Sequence, residues 1–314
     1  MTMPWPLFLL LLKLLGRRRR FESIEGLRAA VERDRKTASA EPPASVRKRC
    51  AIGRRQVGGH DCYTLAPLSG AGPVQLLYLH GGAHVAEISP FHWRLLAEFA
   101  ETTGCVAHVP IFPLAPEHTY RPAYAMVNEI YRGLAAAHDP RQLVLMGDSA
   151  GGGLALATLV ALRDRGEPLP AGAILFSPWT DLAGTGGTMR SNDGPDPMFA
   201  GAALPKAAKL YLGDASATHP YASPFYADFT GLPPLFIQVG STEVLLDDSR
   251  RVADKAKAAG VPVELEVWPD MPHVWQLYAP MVPESRDALD RAAAFLRRVA
   301  VERAVQRVGE PSIA

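Results

Sequence analysis

The sequence predicts an α/β fold with a mostly parallel sheet. Short apolar segments of strand length alternate along it with segments whose apolar residues recur at helical spacing. One of these strands runs into a helix through the glycine-flanked turn 147–151. With 314 residues, 48% of them hydrophobic, the chain is long enough to bury the core of a single domain spanning 1–314.

The predicted elements follow one another in chain order. Residues 21–36 have a helical pattern, and residues 50–65 form a strand pair with Gly58-Gly59 as its turn. The later predicted strands are 74–79, 105–109, 143–146, 173–176, 235–239 and 263–267. The later predicted helices are 91–102, 124–138, 154–165, 249–259 and 284–305. Residues 183–213 break the alternation, and such an insertion predicts a lid over a site.

Basic residues are concentrated at the start of the chain. The net charge of +1 excludes a general attraction to nucleic acid, yet residues 1–56 hold 14 Lys and Arg against 5 Asp and Glu. The apolar run 5–15 is too short to span a bilayer and precedes the arginines 17–20, whereas a secretory signal begins with its charge. We expect a cytoplasmic protein, in which this run either docks on the body or makes peripheral contact with a membrane.

The three cysteines, Cys50, Cys62 and Cys105, form neither a disulfide framework nor a metal-binding spacing. We expect reduced, buried thiols, with one bridge between Cys50 and Cys62 on neighbouring strands as the alternative. The oligomeric state is left open, a homodimer being one option.

The turn 147–151 reads Gly-Asp-Ser-Ala-Gly and lies between a strand and a helix. Such a turn is sharp, so the hydroxyl of Ser149 projects above the sheet as a nucleophile, and glycines at both ends avoid a collision with neighbouring elements. The N–H of Ala150 then points to where an oxyanion forms. A glycine-rich turn with an ordinary serine is the alternative.

Two further segments complete the predicted chemistry. The sequence His-Gly-Gly-Ala at 80–83 follows a strand, and the N–H groups of Gly81 and Gly82 are predicted to complete an oxyanion hole. His273 follows the last strand, where the chain order serine, acid, histidine places the general base. His84 and Trp275 are candidates for lining the substrate pocket.

Three carboxylates compete for the role of the acid in the loop that follows the strand 235–239. Asp247 and Asp248 stand at the start of a predicted helix, where capping explains them. Glu243 lies nearer the strand end without such an explanation. We therefore favour Glu243, with Asp247 as the alternative.

With these residues in place, the chain resembles the hormone-sensitive-lipase family of bacterial esterases between about residues 74 and 295. Besides the oxyanion loop and the serine turn, three blocks carry the resemblance: Leu-Ala-Pro-Glu-His at 114–118, Ser-Pro-Trp-Thr-Asp-Leu at 177–182 and Pro-Asp-Met-Pro-His at 269–273. Two positions depart from the family pattern. Ala83 stands where most members have a third glycine, and Glu243 where many have aspartate.

The resemblance implies an α/β-hydrolase fold, with an eight-stranded, mostly parallel sheet flanked by helices. It also implies a helical cap, built from residues 1–45 and 183–213. The implied activity is that of a carboxylesterase acting on short- to medium-chain acyl esters, with no metal or organic cofactor. An amide or peptide hydrolase with the same triad is the alternative. A non-catalytic small-ligand receptor is disfavoured because Ser149 and His273 are both present.

Overall fold

A computed structural model describes residues 3–14, 24–37, 39–279 and 281–302. Within these residues an eight-stranded sheet forms, with the strand order β1-β2-β4-β3-β5-β6-β7-β8. The strands are β1 (Cys50–Val57), β2 (His60–Pro67), β3 (Gln75–Leu79), β4 (Val106–Pro110), β5 (Leu143–Asp148), β6 (Gly172–Phe176), β7 (Leu235–Gly240) and β8 (Val263–Trp268). Only the pairs β1–β2 and β2–β4 are antiparallel. The predicted mostly parallel sheet is confirmed.

Ten α-helices are present in the described part of the chain. They are α1 (Trp5–Leu14), α2 (Ile24–Thr37), α3 (Ala44–Arg47), α4 (Pro90–Thr103), α5 (Tyr120–Ala137), α6 (Ala150–Asp164), α7 (Thr188–Ser191), α8 (Leu204–Leu212), α9 (Leu246–Ala258) and α10 (Pro283–Arg297). The last predicted helix is shorter than expected, because α10 gives way to a π-helical turn at Arg298–Glu302. Residue 15 of the apolar run and residues 21–23 and 303–305 of the predicted helices lie outside the described residues.

The central strands β3, β5, β6 and β7 are buried at every residue. Parallel strands covered by helices on both faces read as continuous apolar runs for this reason. Alternate strand residues pack against α4 and α10 on one face and against α5, α6 and α9 on the other. This core holds the strand ends rigidly, and the site is built on them.

The antiparallel pair β1–β2 confirms the predicted turn at Gly58-Gly59, but it rules out the alternative of a disulfide. Cys50 pairs in register with Pro67, and Cys62 pairs with Arg55, five residues further along β1. All three cysteines are free and buried. Cys50 and Cys62 therefore do not face each other, and the suggested bridge was wrong.

A third apolar cluster joins the N-terminal helices to the 183–213 insertion. Trp5 and Phe8 of α1 share it with Leu204 and Tyr211 of α8 and with Ala150 beside the serine turn. The N-terminal segment is also anchored by the N–H of Met3, which donates to the carbonyl of Met281 (2.8 Å). The division into a catalytic body and a two-part cap stays a prediction, which this shared cluster supports.

Candidate active site

Ser149 occupies the turn between β5 and α6, with φ 52° and ψ −122°. A non-glycine residue in this region is strained, and such strain persists only where the surroundings hold it. Its N–H donates to the carbonyl of Phe176 (2.8 Å), and its carbonyl accepts from Trp179 (2.9 Å) and Gly153 (3.1 Å). The backbone of β6, the following block and α6 together fix the serine in place.

The glycines of the turn are needed because of close approach. A Cβ on Gly147 would lie 2.4 Å from the carbonyl oxygen of Gly151 in α6, and a Cβ on Gly151 would lie 2.0 Å from that of Leu79 in β3. Both distances are shorter than any side chain tolerates. Glycine is therefore required at both positions because α6 packs closely against the ends of β3 and β5.

The side chains of Ser149, His273 and Glu243 form one hydrogen-bonded chain. Nε2 of His273 lies 2.8 Å from Oγ of Ser149, and Nδ1 lies 2.8 Å from Oε2 of Glu243. All three residues are buried. Burial alone would lower the pKa of His273, but the hydrogen bond and charge of Glu243 outweigh it, so that pKa is raised. The arrangement can move a proton from a hydroxyl to an imidazole.

The three competing carboxylates lie in different places. Oε1 of Glu243 also accepts from Oγ of Ser177 (2.7 Å) and from the N–H of Gly240 (2.5 Å), which directs its second oxygen to His273. Asp247 accepts from the N–H of Thr188 in the insertion (3.0 Å). Asp248 accepts from the N–H groups of Thr180 and Asp181 in the 177–182 block, and burial raises the pKa of Asp248 to about 7. Of the three, Glu243 is brought to the imidazole.

The oxyanion loop differs from the prediction at Gly81. Its N–H donates to Oδ1 of Asp148 at 2.9 Å, so it is already used inside the protein. The following residues Gly82, Ala83 and His84 have φ values of 120°, 54° and 61°, which turn the backbone sharply. Within the described residues, no hydrogen bond is made by the N–H of Gly82 or Ala83. Because its N–H is already bonded to Asp148, the predicted donor role of Gly81 was wrong, whereas that of Gly82 stays a prediction.

Asp148 is the centre of a buried network behind this loop. Besides Gly81, it accepts from the hydroxyl of Tyr78 (2.5 Å) and from Nε2 of His92 (3.3 Å). Nδ1 of His92 accepts from the N–H of Ser89 (3.0 Å), which leaves the proton on Nε2. Burial would raise the pKa of Asp148, but His92 and the other donors lower it. An ionised carboxylate therefore fixes the loop from below.

The blocks at 114–118 and 177–182 have structural roles beside the site. Ala115 donates its N–H to the carbonyl of His84 (2.8 Å), and its own carbonyl accepts from the guanidinium of Arg35 in α2 (2.8 Å). Asp181 accepts from Arg251 (2.9 Å) and Tyr226 (2.9 Å) where the insertion leaves β6. The first block supports the oxyanion loop, and the second anchors the insertion.

The two pocket candidates are both buried. The ring of His84 stacks on Tyr211 of α8, with centroids 3.6 Å apart, and burial lowers its pKa to about 3. Trp275 has no exposed surface and packs beside Trp268, with centroids 5.6 Å apart. His84 thus links the oxyanion loop to the insertion as a neutral ring. That either residue lines a substrate pocket stays a prediction.

Comparisons with known proteins agree with this geometry. A sequence profile of the α/β-hydrolase fold matches residues 76–277. The acetyl-hydrolase of Streptomyces hygroscopicus is 43% identical over 71% of this chain and 75% of its own length. A solved esterase of the bacterial hormone-sensitive lipase family has a TM-score of 0.83 and 38% identity, covering 93% of this chain and 98% of its own. The structure of EstE5 soaked with p-nitrophenyl butyrate has a TM-score of 0.83 and 36% identity, covering 93% and 97%.

The residues 76–277 matched by the profile include the serine turn and the histidine segment, and the matches confirm the resemblance found in the motifs. The chain belongs to the α/β-hydrolase fold family and, within it, to the hormone-sensitive-lipase family of carboxylic-ester hydrolases.

Proposed function

We propose that the protein hydrolyses short- to medium-chain carboxylic esters through an acyl-enzyme on Ser149. The observation that carries this proposal is the continuous chain from Oγ of Ser149 through His273 to Glu243, with both hydrogen bonds at 2.8 Å. A serine hydroxyl is a weak nucleophile until a base within reach removes its proton. An imidazole held by a carboxylate is such a base.

In the first half-reaction, Oγ of Ser149 attacks the ester carbonyl while Nε2 of His273 takes the hydroxyl proton. The tetrahedral oxyanion is held by the N–H groups of Gly82, Ala83 and Ala150, and each donor contributes about 3 kcal/mol to the transition state. The C–O bond then breaks, and the alkoxide leaves with the proton returned by His273. Water repeats the sequence on the acyl-serine, which releases the acid and restores the hydroxyl.

Glu243 keeps the imidazole in the productive tautomer. Its Oε2 accepts the proton on Nδ1, so the lone pair of Nε2 faces the hydroxyl of Ser149. When Nε2 gains a proton, the carboxylate stabilises the resulting cation. Glutamate takes this place because Ser177 and Gly240 hold its other oxygen, which fixes the longer side chain.

The proposed acyl range is short to medium. Two similar proteins support it: one is named an acetyl-hydrolase, and another was soaked with p-nitrophenyl butyrate. A series of p-nitrophenyl esters of increasing acyl length tests the range. A rate that rises steadily up to long acyl chains would contradict it.

The hydrolysis itself is tested with p-nitrophenyl butyrate and the Ser149→Ala variant. The exposed Ser216 offers a matched control, since Ser216→Ala removes a serine hydroxyl that is not part of the triad. We expect activity to be lost only in Ser149→Ala. Equal rates in the wild type and Ser149→Ala would refute the proposal. Faster turnover of a matched p-nitroanilide than of the ester would instead favour the amide hydrolase.

We also propose that α1 makes peripheral contact with an anionic membrane. No helix in the described part of the chain is both long and apolar enough to cross a bilayer. However, α1 has two apolar faces. Trp5, Phe8 and Leu12 are buried in the protein. The opposite face presents leucines that are 38–76% exposed, namely Leu7, Leu10, Leu11 and Leu14.

This exposed face has the spacing of an interfacial helix, with residues three, four and seven apart along one side. The arginines 17–20 follow it in the sequence and complement anionic headgroups. The two alternatives for the apolar run are therefore compatible: one face docks on the protein, and the other remains available to lipid.

A further inference from the structure

Asp196 is a buried carboxylate of the 183–213 insertion that plays no part in the reaction described above. It has no exposed surface. Its Oδ1 accepts hydrogen bonds from the N–H groups of Met198 (2.7 Å) and Phe199 (3.1 Å). Its Oδ2 accepts from the N–H of Val244 (3.0 Å), which lies 48 residues away in the chain. One side chain thus joins the insertion to the loop of the catalytic acid.

The two segments that Asp196 joins both contact the imidazole of His273. The ring of Phe199 meets it edge to face, with centroids 4.9 Å apart. Val244 directly follows Glu243, whose carboxylate bonds to Nδ1 of His273. Asp196 therefore holds the backbone of Phe199 through one carboxylate oxygen and the backbone next to Glu243 through the other.

Other side chains of the insertion reinforce the same connection. The amide nitrogen of Asn192 donates to the carbonyls of Ser241 (3.0 Å) and Glu243 (2.9 Å). The hydroxyl of Thr188 donates to the carbonyl of Val244 (2.9 Å). The acid loop is thus held by the insertion at several successive backbone groups. A segment that only covered the substrate would have no need of these bonds.

We propose that Asp196 is a positioning residue for the triad, which aligns His273 by holding Phe199, which contacts the imidazole, and Val244, which follows Glu243 in the chain. The inference rests on the proposed function, because it assigns the 183–213 insertion a part in aligning the base that function requires. It adds to Ser149, His273 and Glu243 a fourth residue, which acts on the reaction only through them. Misplacement of a catalytic group by about 1 Å costs on the order of a hundredfold in rate.

The variant Asp196→Asn tests this proposal. Asparagine keeps one acceptor oxygen but places an NH₂ group where the second oxygen met an N–H, so either Val244 or the Met198–Phe199 pair loses its acceptor. We expect kcat for p-nitrophenyl butyrate to fall on the order of a hundredfold. KM should stay near the wild-type value, since substrate binding is not the step affected.

Asp193→Asn is the matched control, because Asp193 accepts from the N–H of Gly201 (2.6 Å) within the same insertion. It should leave kcat close to that of the wild type. An equal loss of kcat in both variants would show a structural effect of the insertion and overturn the proposal. So would a wild-type kcat in Asp196→Asn.

The pH profile is a readout that a purely structural role would not move. The negative charges of Glu243, Asp196 and Asp148 each raise the pKa of His273. Removing one of these charges lowers that pKa, so the acidic limb of kcat/KM in Asp196→Asn should shift to lower pH. The limb of Asp193→Asn should coincide with that of the wild type. An unshifted limb in Asp196→Asn would count against the proposal.

If circular dichroism shows that Asp196→Asn does not fold, the variant Asn192→Ala tests the proposal in its place. That variant removes the two bonds to the acid loop, and we expect a smaller loss of kcat at an unchanged KM. Unchanged kcat in Asn192→Ala would then overturn the proposal. Ser149→Ala, assayed in parallel, reports on the hydrolysis itself, so a failure of the proposed function is distinguishable from a failure of this inference.

Discussion

The backbone N–H of Gly81 donates a hydrogen bond to Oδ1 of Asp148, 2.9 Å away. The residue before the nucleophile is thereby tied to the first glycine of the oxyanion loop. A Cβ on Gly81 would lie 2.2 Å from Oδ2 of the same carboxylate, so only glycine fits there. Ser149 and the loop of the proposed oxyanion donors are thus linked to each other on the ends of β3 and β5.

We predict that Asp148→Asn lowers kcat on p-nitrophenyl butyrate by roughly tenfold to a hundredfold. The amide can no longer accept from Tyr78, Gly81 and His92 together, so the donors of Gly82 and Ala83 lose their alignment. The unfolding free energy should also fall by about 1–3 kcal/mol, because a buried donor is left without an acceptor. Steady-state kinetics and urea unfolding measure the two effects.

Tyr78→Phe is the control for this prediction, since it removes a single donor and leaves the carboxylate on Gly81. It should keep most of the activity. Wild-type kcat in Asp148→Asn would mean that the loop is positioned by other contacts.

We predict that Glu243→Gln lowers kcat steeply, on the order of a thousandfold or more. The amide favours the wrong tautomer of His273 and no longer stabilises its cation. Asp247→Asn should instead cost mainly stability, because its carboxylate accepts from Thr188 rather than from the imidazole. Steady-state kinetics and thermal melting of both variants distinguish these effects. The reverse pattern would identify Asp247 as the acid of the triad.

We predict that the protein loses stability as the pH falls below about 6.5. Burial lowers the pKa of His80 to about 4, of His84 to about 3 and of His108 to about 4. The unfolded chain binds protons at these side chains near pH 6.5 while the folded chain does not, so protons favour unfolding. Each histidine should cost about 2 kcal/mol at pH 5. Asp248 opposes part of this loss, because its raised pKa of about 7 makes the folded chain bind a proton there before the unfolded chain does. Urea unfolding from pH 8 to pH 5 measures the net loss, which the three histidines should dominate.

His108→Gln isolates one of these contributions away from the active site. The amide can still donate to Oε1 of Gln75, which Nε2 of His108 contacts at 2.8 Å. The variant should lose less stability than the wild type between pH 7 and pH 5. Identical slopes in His108→Gln and the wild type would contradict the assignment.

We predict that replacing Leu7, Leu10, Leu11 and Leu14 together by glutamine weakens binding to vesicles of phosphatidylglycerol and phosphatidylcholine at least about tenfold. The exposed leucines would otherwise bury apolar surface in the interface. Binding of the wild type should also weaken with added salt, because headgroup attraction is screened. Vesicle co-sedimentation measures both, and turnover of a water-soluble ester should be retained.

Leu68→Gln is the matched control, because Leu68 is 62% exposed on the turn between β2 and β3. It should bind vesicles like the wild type. Vesicle binding that is the same in all three proteins would remove the lipid proposal. A change from dimer to monomer in the quadruple variant, without any vesicle binding, would assign the face to a second copy of the chain.

Local patterns in the sequence were enough to predict much of the fold and of the candidate site. Apolar runs of strand length and helical periodicity gave eight strands and the helices between them, because parallel strands and amphipathic helices carry distinct periods. The glycine-flanked turn and the position of His273 after the last strand selected the serine and its base. Glu243 was favoured because capping already explained the other two acids in its loop.

The tertiary structure decided what depends on partners far away in the chain. Whether the N–H of Gly81 is free depends on the carboxylate of Asp148, 67 residues later. The spacing of the motif alone therefore could not exclude Gly81 as an oxyanion donor. The separation of Cys50 from Cys62 depends on strand register, and the two faces of α1 depend on what packs beneath it. The connection from Asp196 to Val244 exists only after folding brings the insertion onto the acid loop, because such contacts leave no local period in the sequence.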